Sequence, residues 1–225
     1  MKIERILRLT VLFIIAVLVV ASCDDDGYSL SKFSISYGVI HKSAEDSYTV
    51  KLDNGSVIYP SYSDVPTQNL QDSTRLLVDF TILQDAIPGS KFDYYVRING
   101  IERILTKNIL PYSEEILDSL GNDPVIVNDY WIAQDFLTIE FFFAGGLVQH
   151  LINLTQHQGL TKDGKVLLEF HHNANNDPDC YKLNSAVAFP LNKIFNETGD
   201  SVQLRVRYKG FDGEEHFDIT YRPRK

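Results

Sequence analysis

The run His171-His172-Asn173-Ala174-Asn175-Asn176-Asp177-Pro178-Asp179-Cys180 holds the chain's densest set of side chains able to ligate, titrate or attack. Paired imidazoles suit zinc, and the oxygens of Asn173, Asn175, Asp177 and Asp179 suit calcium. The spacing serves neither metal. Adjacent histidines on a strand point to opposite faces, so His171 and His172 cannot share one ion without a bulge. The stretch lacks the ligand spacing and terminal acid of an EF-hand calcium loop. The plainer reading is a strand running into a polar turn, where Asn and Asp tolerate unusual backbone angles. His172, Asn173, Asn175, Asp177 and Asp179 therefore stand as candidate ligand contacts, with no metal expected. Cys180 beside a histidine raises thiolate chemistry. Nothing nearby supplies an orienting third group or an oxyanion site. The chain has no Gly-x-Ser-x-Gly elbow, His-Glu-x-x-His pair, phosphate loop or dinucleotide fingerprint. The acid pairs Glu114-Glu115 and Glu214-Glu215 read as solvated surface. The expectation is a protein without catalytic residues and without a cofactor.

Two other groups could meet a partner. Arg205, Arg207 and Lys209 alternate with apolar residues and so line one strand face, which suits an acidic partner or lipid headgroups, or is simply a polar sheet face. Tyr94, with Tyr95, Tyr59 and Tyr62, could stack on a sugar or a peptide, or bury its ring and leave its hydroxyl wet.

Compartment follows from the N-terminus. Lys2, Arg5 and Arg8 precede an apolar run from Val11 to Val20, about half the roughly 20 residues a membrane-spanning helix needs. That is the pattern of a signal peptide over residues 1–22. Leu18-Val19-Val20-Ala21-Ser22-Cys23 resembles a bacterial lipobox, so Cys23 is the expected lipidation site and membrane anchor. Residues 23–32, opening with Asp24-Asp25-Asp26, read as an acidic tether. Acids directly after a lipidated cysteine are similar to a surface-export signal, which places the expected location at the outer membrane, facing outwards. The whole chain carries −9, and the leader has three bases and one acid, so the remainder carries −11. Neither half of it is basic, which argues against nucleic acid as a partner. With Cys23 acylated, Cys180 has no cysteine to pair with, and the fold must hold by packing.

Strand patterns fill the rest. In Arg75-Leu76-Leu77-Val78-Asp79-Phe80-Thr81-Ile82-Leu83, Leu76, Val78, Phe80 and Ile82 share one face. Asn54-Gly55 and Asn99-Gly100 are hairpin signals. With an opening strand from Phe33 to His41, residues 33–112 give five or six strands, and a closed barrel removes the edges that an open sheet would leave. Periodicity alone leaves a small sandwich open as the alternative. Residues 113–125 read as a short helical connector, with Ser113 as cap, Glu114 and Glu115 in the first turn, and Gly121 and Pro124 at its end. Residues 126–225 give about seven short strands, which suit a β-sandwich.

The blocks Asp53-Asn54-Gly55, Asp79-Phe80-Thr81-Ile82-Leu83, Val96-Arg97-Ile98-Asn99-Gly100-Ile101, Gly121-Asn122-Asp123-Pro124-Val125, Trp131-Ile132 and Leu168-Glu169-Phe170-His171-His172-Asn173-Ala174-Asn175 resemble, in order and spacing, the NigD-like lipoproteins of Bacteroidetes. His171 stands where the family pattern has arginine. The resemblance implies an all-β protein, an N-terminal OB-like β-barrel followed by a C-terminal β-sandwich. It brings no catalytic residues. The founding member's bacteriocin-associated operon implies an immunity-like role. The expected function is thus a lipid-anchored envelope module that binds an unknown envelope protein, peptide or glycan. The alternatives are an assembly component of an outer-membrane complex and an envelope hydrolase.

Overall fold

Five strands close a barrel: β1 (Ser34–Lys42), β2 (Tyr48–Leu52), β3 (Val57–Ser63), β4 (Arg75–Asp85) and β5 (Tyr94–Arg103), in the order β1-β2-β3-β5-β4. The structure, a computed structural model, describes residues 27–43, 47–66, 70–195 and 201–223. The leader, Cys23 and the Asp24-Asp25-Asp26 run lie outside the described residues. β3 and β5 pair in parallel, and the other barrel neighbours are antiparallel. Leu76, Val78 and Phe80 point inward with Ile40, Val50, Ile58, Val96 and Ile98. Closure satisfies the strand edges that an open five-strand sheet would expose. At the last residues of the expected tether, the Tyr28 hydroxyl donates to Asp85 on the barrel.

The two Asn-Gly pairs behave differently. Asn54-Gly55 turns β2 into β3, with Gly55 at φ 95° and the Ser56 amide donating to Asn54 Oδ1. The expected second hairpin is absent: β5 runs straight through Asn99-Gly100. Opposite it, Asp79 pairs with Gly100 and Phe80 with Ile98, so Asn99 is the extra residue of a β-bulge. Its side-chain amide donates to Asp79 Oδ1 and Thr81 Oγ1, which holds the bulge in register.

The remaining strands are β6 (Leu105–Thr106), β7 (Leu110–Pro111), β8 (Ile126–Ala133), β9 (Phe136–Gly145), β10 (Leu151–Leu160), β11 (Val166–Asn173), β12 (Tyr181–Pro190), β13 (Val202–Gly210) and β14 (Gly213–Tyr221). They form two sheets, β14-β13-β11-β10-β7 and β6-β12-β9-β8, packed over Leu137, Ile139, Leu154, Leu168, Val187 and Val206. The sandwich begins earlier than expected. β6 adds in parallel to β12 and β7 to β10, so residues 105–111 belong to it rather than to the barrel. The helix α1 (Glu114–Leu120) is consequently an insertion within the sandwich, not a connector between domains. Ser113 sits at its N-cap without a side-chain capping bond. A single turn, α2 (Asn192–Phe195), follows β12. Among the described residues no helix is long and apolar enough to cross a membrane.

The domains are locked by a buried polar knot. Arg75, on β4, grips both oxygens of Asp53 and also donates to Thr138 Oγ1 on β9, 2.9 Å away. Trp131 Nε1 donates to Asp53 Oδ2 at 2.6 Å, and the Tyr37 hydroxyl donates to Glu140 at 2.6 Å. The Tyr37 and Trp131 rings meet edge to face, 4.9 Å between centroids. Arg75 is fully buried, so its charge depends on these partners.

Candidate functional site

β11 delivers His171 and His172 to opposite sides of its sheet, as strand geometry requires. His171 contacts Thr155 Oγ1 at 3.0 Å on the α1 side. His172 follows Phe170 onto the core face at the end of the sandwich, where its ring lies 5.4 Å from that of Phe143. It meets a partner that local sequence reading missed. His150 Nδ1 lies 2.7 Å from His172 Nε2, and His150 Nε2 lies 3.0 Å from Asp177 Oδ2. The result is a chain of contacts, Asp177–His150–His172, on which both histidines and the aspartate are nearly or fully buried.

Local backbone explains how the chain assembles. Asn175 and Asn176 both adopt positive φ, 52° and 58°, and wrap the strand end so that Asp177 turns back inward. The Asn175 side chain donates to the Gln149 carbonyl, tying this turn to the one that carries His150. Gly145, at φ 143°, has to be glycine: a Cβ there would lie 2.6 Å from both Asp177 Oδ2 and the His150 ring. Asp177 accepts from the amides of Gly146 and Leu147 as well as facing His150. Burial pushes its carboxyl up, but the Gly146 amide, His150 and the Leu147 amide outweigh that and hold it down at about 2. Burial, with repulsion from His150, lowers His172 below the usual imidazole range, and burial lowers His171 too. Both are uncharged at neutral pH. Among the described residues no group of three or more His, Cys, Asp or Glu side chains is arranged to hold a metal ion.

Above the chain lie two hollows. One of 210 Å³ is lined by Asp123, His172, Asn173, Asn176, Asp177 and Asp179, among others. The other, of 280 Å³, is walled by Ile126, Phe142, Phe143, Tyr181 and Phe211. They share Ala144, Asp179 and Phe211, so they form one trough with a polar and an apolar half. Cys180 is exposed at its rim, with no nucleophile-activating partner among the described contacts.

The NigD-like N-terminal OB domain family matches residues 37–104, and the NigD-like C-terminal beta sandwich domain family matches residues 108–221. The chain belongs to the NigD-like family. A solved Parabacteroides distasonis protein described as toxin-related is 31% identical, with TM-score 0.73, covering 85% of this chain and 94% of that one. A Bacteroides caccae structure described as a NigD-like immunity protein is 20% identical, TM-score 0.64, covering 88% and 100% respectively. A Bacteroides fragilis structure described as a lipoprotein shares the fold at 9% identity and TM-score 0.61, covering 86% and 100%. No curated protein matches the sequence.

The structure thus gathers His172, Asn173, Asp177 and Asp179 in this NigD-like chain, and Asn175 supports them through its turn. The other candidates lie apart. Tyr94 opens β5 and packs against the barrel core. Arg205 is paired with Asp218 and Asp163, and Arg207 with Glu169 and Glu214, so that face of β13 neutralises itself. His150 and Asp123 lie 22 and 49 residues before His172, too far for spacing to reveal. The only local hint was the Gly145-Gly146 pair, whose close approach to Asp177 marks the place.

Proposed function

We propose that this chain is a lipid-anchored envelope protein that protects its cell by binding an agent outside the cytosol. The observation that carries the reading is Leu18-Val19-Val20-Ala21-Ser22-Cys23, a cleavage and acylation pattern ahead of a NigD-like body. Acyl chains on Cys23 would hold an acidic, folded body at a membrane face without a spanning helix. The immunity description of the Bacteroides caccae relative and the toxin-related description of the Parabacteroides distasonis one support a protective role. The lipoprotein description of the Bacteroides fragilis structure supports the anchor. The run Asp24-Asp25-Asp26 supports an outward-facing position at the outer membrane.

Metabolic labelling with an alkyne palmitate analogue tests the anchor. Wild type should take up label and sediment with membranes, and Cys23→Ala should do neither. Protease shaving of intact cells should remove the protein if it faces outwards. A deletion strain should become more sensitive to spent medium from competing strains, and the wild-type gene should restore resistance. Unlabelled wild-type protein, or unchanged sensitivity on deletion, would refute the corresponding part. Stable co-purification with a membrane complex, together with unchanged sensitivity, would put an assembly role in its place.

A further inference from the structure

We infer that the trough at the end of the sandwich is the binding site and that its ligand is a cationic peptide segment carrying aliphatic or aromatic side chains. This names the partner class for the protective reading above and rests on it. Three independent features point the same way.

The first is the apolar wall. Ile126, Tyr181 and Phe211 are 46%, 64% and 54% exposed, yet they line one hollow together with Phe142 and Phe143. Single exposed apolar residues are ordinary, whereas a contiguous set around a concavity marks an interaction surface. At 280 and 210 Å³, each half lies below the range of about 300–1,000 Å³ typical of small-molecule pockets, and both are open to solvent. Spaces of that size accept individual side chains of a peptide laid along the trough.

The second is charge. The trough is lined by three acids, Asp123, Asp177 and Asp179, against one base, Lys182. Lys182 Nζ already sits 4.2 Å from the centre of the Phe142 ring, which shows that this wall accepts a cation over an aromatic face. The whole chain is also acidic, so the long-range field favours a positive ligand.

The third is an orphaned atom. His172 is 2% exposed, and its Nδ1 has no hydrogen-bond partner. That nitrogen lies beside the Asp123–Pro124 backbone, in the acidic half of the trough. A buried polar atom without a partner is rare in folded proteins. An ammonium or guanidinium group entering the acidic half meets the carboxylates of Asp123 and Asp179 at the lip and the unpartnered ring nitrogen below. The aromatic wall beside it takes the neighbouring apolar side chain.

The full-length chain carried by phosphatidylcholine vesicles is titrated calorimetrically with the amidated tetrapeptide Leu-Arg-Leu-Arg, and with Leu-Ser-Leu-Ser and Leu-Glu-Leu-Glu, blank vesicles being subtracted. The arginine peptide should bind at least about tenfold more tightly than the serine peptide, and the glutamate peptide should not bind. Asp179→Lys should weaken the arginine peptide by about tenfold, and Phe211→Ser should weaken the arginine and serine peptides alike. Both substitutions are at exposed positions, and unchanged thermal midpoints will show that the variants fold. Equal affinity for all three peptides, no binding of the arginine peptide, or full affinity in both variants would overturn the site. Failure here leaves the anchor and sensitivity tests standing. Peptide binding by a chain whose deletion leaves sensitivity unchanged would keep the site and remove the protective role.

Discussion

Replacing Arg75 by methionine should cost this protein about 3 kcal/mol, at the lower end of the roughly 3–5 kcal/mol seen when one member of a buried pair is removed. The lower end applies because Asp53, left without its guanidinium, keeps the Trp131 N–H and a side chain 16% exposed to solvent. For a chain of this length each 1 kcal/mol moves the thermal midpoint by about 2–4 °C, so the expected drop is about 6–12 °C. Trp131 is the only tryptophan and sits in the knot itself, so its fluorescence reports the domain contact directly. Urea unfolding followed by Trp131 emission and by far-ultraviolet dichroism should coincide in the wild type. In Arg75→Met the emission change should come at lower urea than the dichroism change, because the contact opens before the sheets melt. The double variant Asp53→Leu/Arg75→Met should regain most of the lost stability, since no charge is left without a partner. A single variant within about 0.5 kcal/mol of wild type, or a double variant no better than the single one, would refute the view that this pair joins the domains.

Acid should destabilise the fold in two stages. The lowered His171 and His172 bind protons more readily when unfolded, so their contribution is complete above the free imidazole value of 6.5 and is lost as pH falls below it. Asp177 adds a second loss between its free value of 3.8 and about 2. Thermal midpoints measured from pH 8 to pH 3 should fall from about pH 6.5 downward, and His172→Phe should flatten the first stage; a midpoint unchanged between pH 7.5 and pH 5 would contradict it. Gly121→Ala should cost about 3 kcal/mol by calorimetry, because φ is +73° and the new Cβ would fall 2.7 Å from Asn173 Cα and 2.8 Å from the His172 oxygen. A loss under about 1 kcal/mol would mean that the α1 terminus yields.

The barrel and the sandwich were legible as strand patterns because each buries one face, and period-2 alternation follows directly from that. What was not legible depended on partners distant in sequence. Asn54-Gly55 and Asn99-Gly100 are the same dipeptide, yet one turns a hairpin and the other forms a bulge. The difference lies in β4, an 11-residue strand long enough to pair with β5 on both sides of Asn99. Likewise β6 and β7 have two residues each, too short to show a period, and only their pairing with β12 and β10 assigns residues 105–111 to the sandwich.

The candidate site was half visible for the same reason. Strand alternation keeps His171 and His172 apart, and the Asn-Asp run forms a turn with positive φ at Asn175 and Asn176. Those two features together favour an unremarkable polar turn, because neither contains a reason for Asp177 to be buried. That reason comes from Gly145 at the end of β9, whose lack of a side chain admits the Asp177 carboxylate, from the Gly146 amide that donates to it, and from His150, which the following turn brings between Asp177 and His172. An aspartate at the rim of a turn belongs in water unless something donates to it. Here two amides and an imidazole do, and the same contacts that draw it inward leave His172 Nδ1 facing a hollow without a hydrogen-bond partner. Retaining a buried carboxylate, two imidazoles in contact and an unpartnered ring nitrogen beneath exposed aromatic residues makes physical sense when a ligand arrives from outside.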